Sequence, residues 1–440
     1  MKFLLVHPPM DGSEPPVRRT EGLGLAYVAA VLRRDGHEVE MLDGYLRRLR
    51  PRALIREILR RDFDCLGITA SDVHKWTTIS IARAVRKRRK DALIVAGGYF
   101  PTFHAQRLLT VCPEFDFLVR GEGETVVSEG FGRIARGEDW RETPGLAFRQ
   151  DGTEVLNPLP PLVHDLDSLP FPARDELKLV GQGMPALIVG SRGCNHRCSF
   201  CSIPSFYALS GRKAPRSRSP RNVLDEIEEV TAATGIKEFV FADDNFIGPG
   251  TKNRERVFQF AEEIRSRKLD FAFTIQCRVD EIDEEILKLL KDVGLFRVYL
   301  GVESSVERQL HTYNKRTTAE QNRRAIELIR RVGLDLQIGF IMLDPYTTLK
   351  EMLENMQFLD DMDLKEFRRN MLRLQYTPKL GLYGGVPLIE QVRADGLLRK
   401  KGFDCEFVFK DPQFRLIYGA AQALGAPLGF LARLYRLVRS

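Results

Sequence analysis

Three cysteines lie close together in the segment Ser191-Arg-Gly-Cys194-Asn-His-Arg-Cys198-Ser-Phe-Cys201. Thiolates are the usual protein ligands of iron–sulfur clusters. With three thiolates, one iron of a four-iron cluster keeps an open coordination position, which a reacting metal requires. A zinc site would normally be closed by a fourth Cys or His at short spacing, and neither His196 nor the remote His311 is well placed for that role. The pattern favours an iron–sulfur centre, with zinc or three buried structural cysteines as the alternatives.

The composition is that of a globular protein with more than one core. A chain of 440 residues is too long for one ordinary domain, so two or three are expected. Hydrophobic residues make up 43% and charged residues 29% of the chain, which excludes a disordered protein. The net charge of +7 suits an anionic ligand but is too diffuse to predict nucleic-acid binding. In the one dense basic segment, from Gly211 to Arg221, we expect a solvated loop, with a lid or anion contact as the alternative.

The distribution of cysteines and apolar residues predicts a cytoplasmic protein. Seven cysteines with one tight cluster indicate a reducing compartment and a metal site rather than a disulfide scaffold. The apolar stretch at residues 1–7 is too short for a signal peptide. Residues 416–432 are apolar but interrupted by glycines and a proline, so we predict no transmembrane span.

Residues 1–145 alternate short apolar strands with amphipathic helices, which predicts a doubly wound, Rossmann-like parallel sheet. Ligands of such sheets bind at the carboxyl ends of the strands. Glycines gather at these ends, as Gly97-Gly98 after the fourth predicted strand and Gly121-Glu122-Gly123 after the fifth. Glycine permits the tight turns and the close backbone approach that a bulky ligand needs.

A second β/α series follows a proline-rich, irregular linker predicted at residues 146–184. Its strands are predicted at residues 186–190, 238–242, 271–276, 297–301, 336–342 and 371–375. About six such units within residues 185–378 suggest an incomplete parallel (β/α)6 barrel, with an active site at the C-terminal rim of its strands. Residues 379–440 are predicted to form a small, mainly helical segment on the substrate side.

The cysteine spacing, with the aromatic Phe200 before the last cysteine, resembles the signature of the radical S-adenosylmethionine (SAM) superfamily. The resemblance implies that Cys194, Cys198 and Cys201 hold a [4Fe–4S] cluster, whose open iron is chelated by the amino and carboxylate groups of SAM. One-electron reduction, by an external flavodoxin- or ferredoxin-type partner, cleaves SAM to methionine and a 5′-deoxyadenosyl radical. This radical abstracts hydrogen from a small-molecule substrate that the barrel positions.

The resemblance also implies contacts with SAM near the cluster. Phe200 is expected beside the adenine. Asp243 and Asp244, at the end of the second barrel strand, are expected near the methionine amino group, although the usual small-residue form of that motif is absent. Tyr207, just past the cysteines, could donate hydrogen or a proton to the substrate. A strand-end salt bridge or a packed tyrosine is the structural alternative for these side chains.

Two further strand ends carry polar residues that suit the same ligand. Glu303 and Ser304 end the fourth barrel strand, where a carboxylate suits the ribose hydroxyls. Gln276 and Arg278 follow the third strand and suit the SAM carboxylate or the substrate, because a planar guanidinium binds carboxylates well. Ordinary salt bridges or caps are again the alternative.

The N-terminal domain resembles the cobalamin-binding domain that precedes the barrel in one large radical SAM class. The residues that carry this resemblance are Gly97, Gly98, Thr102, Gly121, Glu122 and Gly123. It implies that these loops bind cobalamin, although the Asp-x-His-x-x-Gly motif, whose histidine ligates cobalt in other cobalamin proteins, is missing. His74, after the third strand, is a candidate neighbour of the lower face of the cofactor, with a structural histidine as the alternative.

Three functions follow from this organisation. The first is cobalamin-dependent C-methylation of a natural-product intermediate, with SAM as both radical source and methyl supply. The second is a cobalamin-independent radical dehydration or deoxygenation, for example of an aminoglycoside-like diol. The third is a non-catalytic iron–sulfur protein or cobalamin sensor, although an electron carrier normally closes its cluster with four protein ligands. Cleavage of SAM by the reduced protein would separate the enzymes from the binding proteins.

Overall fold

A computed structural model describes residues 1–12, 19–180, 183–211, 215–364 and 379–424. The chain forms two compact units. The first contains Met1–Gly193, Ser205–Asp243 and Glu263–Ala272, and the second contains Cys194–Pro204, Asp244–Glu262 and the described residues from Phe273 onward. The segment Cys194–Pro204, called the cluster loop below, therefore belongs to the second unit.

A seven-stranded sheet lies at the centre of the first unit. In chain order, its strands are β1 (Lys2–His7), β2 (Glu38–Asp43), β3 (Cys65–Thr69), β4 (Leu93–Gly97), β5 (Phe117–Val119), β6 (Leu146–Gln150) and β7 (Thr153–Leu156). They are arranged in the order β2-β1-β3-β4-β5-β6-β7, and the pairs among β1 to β5 are parallel. The carboxyl ends of these five strands therefore share one edge, where ligands of such sheets bind.

The helices that join the parallel strands are amphipathic. They are α1 (Leu23–Arg34), α2 (Pro51–Leu59), α3 (Lys75–Arg86), α4 (Tyr99–Val111) and α5 (Gly123–Ala135). In α1, Leu25, Ala29 and Leu32 recur at helical spacing and join the buried core that covers the sheet. Pro51 opens α2 at a first-turn position, where a missing backbone N–H costs nothing.

Strands β6 and β7 extend the sheet beyond its predicted limit. They pair antiparallel with β5 and with each other. Both lie within the stretch where the sequence predicts an irregular linker, because two strands of five and four residues next to a proline-rich segment give little periodicity. The irregular part of this stretch begins after Leu156.

The second β/α series contributes strands to both units. They are β8 (Ala186–Ile188), β9 (Ser191–Arg192), β10 (Arg216–Ser217), β11 (Glu238–Phe241), β12 (Ala272–Arg278), β13 (Leu295–Glu303) and β14 (Asp335–Phe340). β8 and β11 pair in parallel in the first unit, and β12, β13 and β14 pair in parallel in the second. These correspond to five of the six predicted strands, and the sixth, at residues 371–375, lies outside the described residues.

The helices of this series begin at polar caps. They are α6 (Asp175–Val180), α7 (Ile203–Ala208), α8 (Pro220–Thr234), α9 (Thr251–Arg267), α10 (Glu284–Lys291), α11 (Glu307–Thr312), α12 (Ala319–Val332) and α13 (Leu349–Asp361). The side chain of Ser219 accepts a hydrogen bond from Asn222 N at the start of α8, and Thr318 with Gln321 forms a capping box at the start of α12. Such caps satisfy backbone N–H groups that have no partner inside the helix.

The described C-terminal segment combines two helices with a short hairpin. Its elements are α14 (Leu388–Ala394), β15 (Leu398–Lys401), β16 (Asp404–Phe407) and α15 (Pro412–Leu424), and β15 pairs antiparallel with β16. Helix α15 holds the first part of the apolar range at residues 416–432, and the rest of that range lies outside the described residues. Within the part of the chain that the structure describes, no helix is both long and apolar enough to cross a membrane.

Candidate functional site

Cys194, Cys198 and Cys201 all line one pocket of about 150 Å³ in the second unit. The other lining residues are His196, Phe200, Ile203, Pro204, Asp244, Gln276, Cys277, Arg278, Tyr299, Gly301, Glu303 and Lys315. Five of these residues are predicted above to contact SAM or substrate, namely Phe200, Asp244, Gln276, Arg278 and Glu303. The structure therefore brings most of the predicted SAM residues of the barrel to the cysteines.

The cluster loop is held in shape by hydrogen bonds that do not involve its thiols. Ser199 N donates to Tyr313 O at 2.8 Å, and Ser199 Oγ donates to Thr312 O at 2.6 Å. The Asn314 side chain donates to Arg197 O at 2.7 Å. The segment after α11 thus supports the loop from one side, although it lies more than a hundred residues away in the sequence.

The three thiols suit a multi-iron cluster. In a four-iron cluster each thiolate binds a different iron, and three thiols that line one pocket can supply three of the four ligands. Burial raises the pKa of all three thiols, that of Cys201 to about 12, so bound iron is needed to stabilise the thiolates.

Arg278 lies against the cluster thiol of Cys198. Its Nη1 donates to Cys198 Sγ at 3.5 Å, and its Nη2 donates to Lys315 O at 2.6 Å. Asp280 accepts from Nε and Nη2 at 2.9 and 3.0 Å. The guanidinium is buried and its donors face a thiol, a carboxylate and a carbonyl. This arrangement indicates a residue that positions the cluster ligand, whereas the sequence suggested contact with SAM or substrate.

Glu303 and Lys315 form a buried ion pair in the pocket, with Nζ and Oε1 3.0 Å apart. Glu303 has a φ of 64°, a left-handed conformation that costs a non-glycine residue about 1–3 kcal/mol. Lys315 Nζ also lies 6.0 Å from the centre of the Phe200 ring. A Cβ at Gly301 would come within 2.9 Å of both members of the pair, so glycine leaves the room they occupy. Lys315 lies shortly after α11 and belongs to no recognisable motif, so its place in the pocket could not be predicted from the sequence.

A second network missed by the sequence analysis orients His196. Its Nε2 lies 2.6 Å from Glu281 Oε1, and Asn245 Nδ2 donates to Glu281 Oε2 at 2.6 Å. Glu281 is almost fully buried, whereas His196 keeps a partly exposed face in the pocket. In the sequence, His196 was weighed only as a zinc ligand. Its distance along the chain from Glu281 gives no sign that the two side chains are in contact.

Two predicted SAM residues, Asp243 and Ser304, bond to parts of the fold outside the thiol pocket. The Asp243 carboxylate accepts from Gly190 N at 2.7 Å and from Ser191 Oγ at 2.6 Å, which fixes the turn before the cluster loop. Ser304 is fully buried, and its Oγ lies within hydrogen-bond distance of the Gln309 and Asn355 side chains. Their functional assignment stays a prediction, and the contacts favour the structural alternative.

Tyr207 is also packed among side chains of the first unit. Its ring lies 5.3 Å from that of Phe206, in an edge-on arrangement, and 5.4 Å from the Arg216 guanidinium. This environment agrees with the structural alternative, in which Tyr207 is a packed tyrosine.

In the first unit, one threonine joins the two predicted cobalamin loops. Thr102 Oγ1 donates to Gly98 O at 2.7 Å and accepts from Gly121 N at 3.0 Å. Gly98 has a φ of 102°, and a Cβ there would lie 2.7 Å from Ala70 O, so only glycine fits this turn. Gly97 ends β4 and Gly123 begins α5, which places the predicted residues along the carboxyl edge of the sheet.

Glu122 lies at the centre of a buried ion-pair network. It accepts from Arg216 at 2.6 and 2.9 Å and from Arg192 at 3.1 Å, while Arg192 also donates to Glu124 at 2.6 Å. Burial alone would raise the pKa of Glu122, but hydrogen bonds from Arg216 and the charges of both arginines lower it. The second predicted cobalamin loop is thus tied to the strand that leads into the cluster loop.

The basic segment predicted as a solvated loop is partly buried instead. Arg216 and Arg218 are each only 4% exposed. Arg216 pairs with Glu122 and Arg218 with Glu226, carboxylates that precede and follow the segment in the chain. Charge density alone could not reveal these partners, since one of them lies far away in the sequence. Residues 212–214 lie outside the described residues.

Two family models match the chain, the Radical SAM superfamily at residues 188–359 and the B12 binding domain at residues 18–129. An uncharacterized methyltransferase of Pyrococcus horikoshii is 31% identical over 370 residues, which cover 83% of this chain and 79% of that protein. The anaerobic magnesium-protoporphyrin IX monomethyl ester cyclase of Synechocystis is 29% identical, over 75% of this chain and 66% of that protein. The structure of the cobalamin-dependent SAM radical enzyme OxsB, with aqua-cobalamin and SAM bound, has a TM-score of 0.76 at 20% identity, over 96% of this chain and 66% of that chain.

The chain therefore belongs to the radical SAM superfamily, in the class that carries a B12-binding domain. The predicted fold class is confirmed, and so are the predicted cofactors: a [4Fe–4S] cluster, SAM and cobalamin. The residues found here fit these groups, since three thiols share one pocket and two linked glycine loops lie at the ligand edge of the first sheet. The chain spans just under two thirds of both the cyclase and the OxsB chain, so its own reaction is a matter for proposal.

Proposed function

We propose that this enzyme is a cobalamin-dependent C-methyltransferase that abstracts hydrogen from a small-molecule, natural-product intermediate. The observation that carries the proposal is the presence, in one chain, of a three-thiol pocket and of a B12-binding domain with both glycine loops formed. The Pyrococcus relative named as a methyltransferase supports the reaction type. When bound, the cluster supplies an electron to SAM and cobalamin supplies a methyl group.

The residues of the pocket divide between the cluster and SAM. Arg278 donates to the Cys198 thiol and so holds a cluster ligand in place. We assign Asp244, Gln276, Glu303 and Phe200 to SAM, as the resemblance to the family suggests. The carboxylate of Asp244 suits the ammonium of SAM, and the carboxylate of Glu303 suits its ribose hydroxyls.

The ion pair between Glu303 and Lys315 fixes the carboxylate before SAM arrives. Lys315 is buried and holds Oε1, so the second oxygen of Glu303 is the one available to a hydroxyl group. Preorganised groups of this kind spend no binding energy on ordering. The backbone strain at Glu303 is consistent with a residue held in place for function.

An external one-electron donor of the flavodoxin or ferredoxin type completes the proposal. We place the enzyme in the cytoplasm, where thiols stay reduced.

A second candidate function is a radical reaction without methyl transfer. The cyclase of Synechocystis, at 29% identity, favours this alternative. One such reaction is the dehydration or deoxygenation of a diol. The barrel would then carry out the radical reaction, and the first unit would bind substrate or have a structural role.

The experiment is an anaerobic reaction of the reconstituted protein with hydroxocobalamin, a chemical reductant and SAM that carries a deuterated methyl group. Methyl transfer predicts retention of one cobalamin per chain, S-adenosylhomocysteine formation and transfer of the label to the corrinoid. Reductive cleavage predicts 5′-deoxyadenosine in the same reaction. A triple Cys194→Ala, Cys198→Ala, Cys201→Ala variant should lose 5′-deoxyadenosine but keep cobalamin. Formation of 5′-deoxyadenosine without cobalamin binding or S-adenosylhomocysteine would instead support the second candidate.

A further inference from the structure

Three histidines lie at or after the carboxyl ends of parallel strands of the first sheet. His7 is the last residue of β1, His74 lies in the turn Asp72–His74 after β3, and His104 lies in α4 after β4. The B12-binding family model covers His74 and His104. Because ligands of parallel sheets bind at this edge, each of these imidazoles is a candidate contact for the cofactor.

The three imidazoles differ in what faces their nitrogens. Nδ1 of His7 lies 2.9 Å from Asp43 Oδ2, and Nε2 of His104 lies 3.7 Å from Asp72 Oδ1. Nε2 of His74 is buried and has no hydrogen-bond partner among the residues that the structure describes. The residue as a whole is only 8% exposed. A buried nitrogen without a hydrogen-bond partner is costly and calls for an explanation, which a bound ligand would provide.

The His74 ring is oriented through its other nitrogen. Nδ1 lies 2.9 Å from Ser71 Oγ, and the His7 ring packs edge-on at a centroid distance of 5.2 Å. With Nδ1–H donating to the Ser71 hydroxyl, Nε2 carries the lone pair that a metal requires. Histidine ligands of metals are commonly oriented in this way by a hydrogen bond at the second nitrogen.

The turn that carries His74 is fixed by the loop after β1. Asp11 N donates to Val73 O at 2.6 Å. The Asp11 carboxylate accepts from Trp76 N and Thr77 N, each at 2.8 Å, and so caps the first turn of α3. His74 is therefore held between two fixed points of the backbone.

The loop after β3, which carries His74, is bonded directly to the first predicted cobalamin loop, which follows β4. Ala70 N donates to Gly97 O at 2.8 Å, and Phe100 N donates to Ala70 O at 3.1 Å. The unpaired nitrogen and the glycine pair thus lie on neighbouring loops of one edge.

From this geometry we propose that His74 Nε2 is an axial nitrogen ligand to the cobalt of bound cobalamin. The proposal rests on the use of cobalamin by this enzyme. It assigns to the loop after β3 a ligand that the missing Asp-x-His-x-x-Gly motif would have supplied from another loop. Ser71 is a positioning residue that acts through His74.

Electron paramagnetic resonance of protein-bound cob(II)alamin tests this assignment. An axial nitrogen-14 splits each cobalt hyperfine line into three, and nitrogen-15 splits it into two. Protein grown with nitrogen-15 histidine therefore distinguishes a histidine ligand from the benzimidazole base of the cofactor itself. The labelled wild-type protein should show the doublet pattern, a result that requires no variant to fold.

Two matched variants identify the histidine. His74→Asn should lose the doublet pattern, whereas His104→Asn, in the neighbouring helix α4, should retain it. Ser71→Ala should keep the pattern but weaken cobalamin binding by about tenfold, because orienting partners of metal ligands contribute about 10–100-fold in affinity. A triplet or an unsplit spectrum in the labelled wild-type protein overturns the proposal while leaving cobalamin use intact. A protein that binds no cobalamin overturns both.

Discussion

Replacing Arg278 with Gln should lower the midpoint potential of the [4Fe–4S] cluster. The guanidinium is a buried cation beside the Cys198 thiol, so it stabilises the state of the cluster that carries the extra electron. Gln keeps a donor and much of the volume but removes the charge. Asp280 accepts two hydrogen bonds from the same guanidinium, so Asp280→Asn removes the opposite charge and provides the matched control.

The size of the shift follows from the distances. Unit charges separated by the 3.5 Å between Arg278 Nη1 and Cys198 Sγ interact by about 5 kcal/mol at an effective dielectric constant of about 20. The added electron is shared over the whole cluster, and the Asp280 carboxylate offsets part of the arginine charge. If each effect halves the interaction, about 1 kcal/mol remains. For a one-electron couple this corresponds to about 40–50 mV.

The assay is an anaerobic redox titration of the reconstituted protein, with the reduced cluster followed by electron paramagnetic resonance. Arg278→Gln should shift the midpoint downward by about 40–50 mV, and Asp280→Asn should shift it upward. Cluster content, measured as iron and sulfide per chain, must match the wild-type protein for the comparison to hold. Unchanged potentials at full cluster content, or shifts of the same sign in both variants, would refute the electrostatic reasoning.

Three further changes test the site. Glu122→Gln leaves the buried Arg216 without a counter-charge and Arg192 with Glu124 alone, so it should destabilise the protein by about 3–5 kcal/mol in chemical denaturation, unlike the exposed Glu129→Gln. The folded state lowers the pKa of Glu122, so the ionised carboxylate stabilises the fold at pH values above the ordinary pKa of 4.5. This stabilisation is lost as the pH falls through the lowered pKa, and the Gln variant should not show that loss. Thr102→Val removes the hydroxyl that links the two glycine loops and should weaken cobalamin binding about tenfold in equilibrium dialysis, whereas the exposed Thr110→Val should not. Gly301→Ala places a Cβ 2.9 Å from both members of the buried ion pair and should weaken SAM binding, measured by calorimetry, by at least about tenfold.

The parts of the fold and site that local sequence encodes were predictable. The cysteine spacing lies within one loop, so it could be recognised without any knowledge of the tertiary structure. The glycines at positions 98 and 121 are required by positive φ angles, which are a property of the local backbone. Strands β1 to β5 are short apolar runs separated by helices with apolar faces, a pattern that predicts both their existence and their parallel arrangement.

Adjacent polar residues at strand ends could not be separated by sequence alone. Asp243 and Asp244 are neighbours, yet Asp243 bonds to the turn before the cluster loop while Asp244 lines the thiol pocket. Glu303 lines the same pocket, and Ser304 turns into a buried polar network. In extended chain, successive side chains point in opposite directions, so the identity of the functional member depends on the register and on local irregularity. Here that irregularity is the left-handed φ of Glu303.

Contacts between segments far apart in the chain have no local signal in the sequence. Arg278, at the end of β12, contacts the cluster thiol of Cys198, and Lys315, after α11, lines the same pocket. Neither residue belongs to a motif with the cysteines. Such pairings are set by how the strands of the second unit pack, and one sequence without related sequences contains no signal for them.

The support of the cluster loop determines what the cysteine variants can show. Backbone and side-chain hydrogen bonds reach Ser199 from Tyr313, Thr312 and Leu388, and none of them uses a thiol. His196 is likewise held by Glu281 rather than by metal. The shape of the loop therefore depends on the packing of the second unit more than on the cluster, in contrast to small metal sites whose folding requires the ion. Replacing the three cysteines should remove the cluster while leaving both units folded, which is why cobalamin binding by that variant can separate the role of the first unit from that of the cluster.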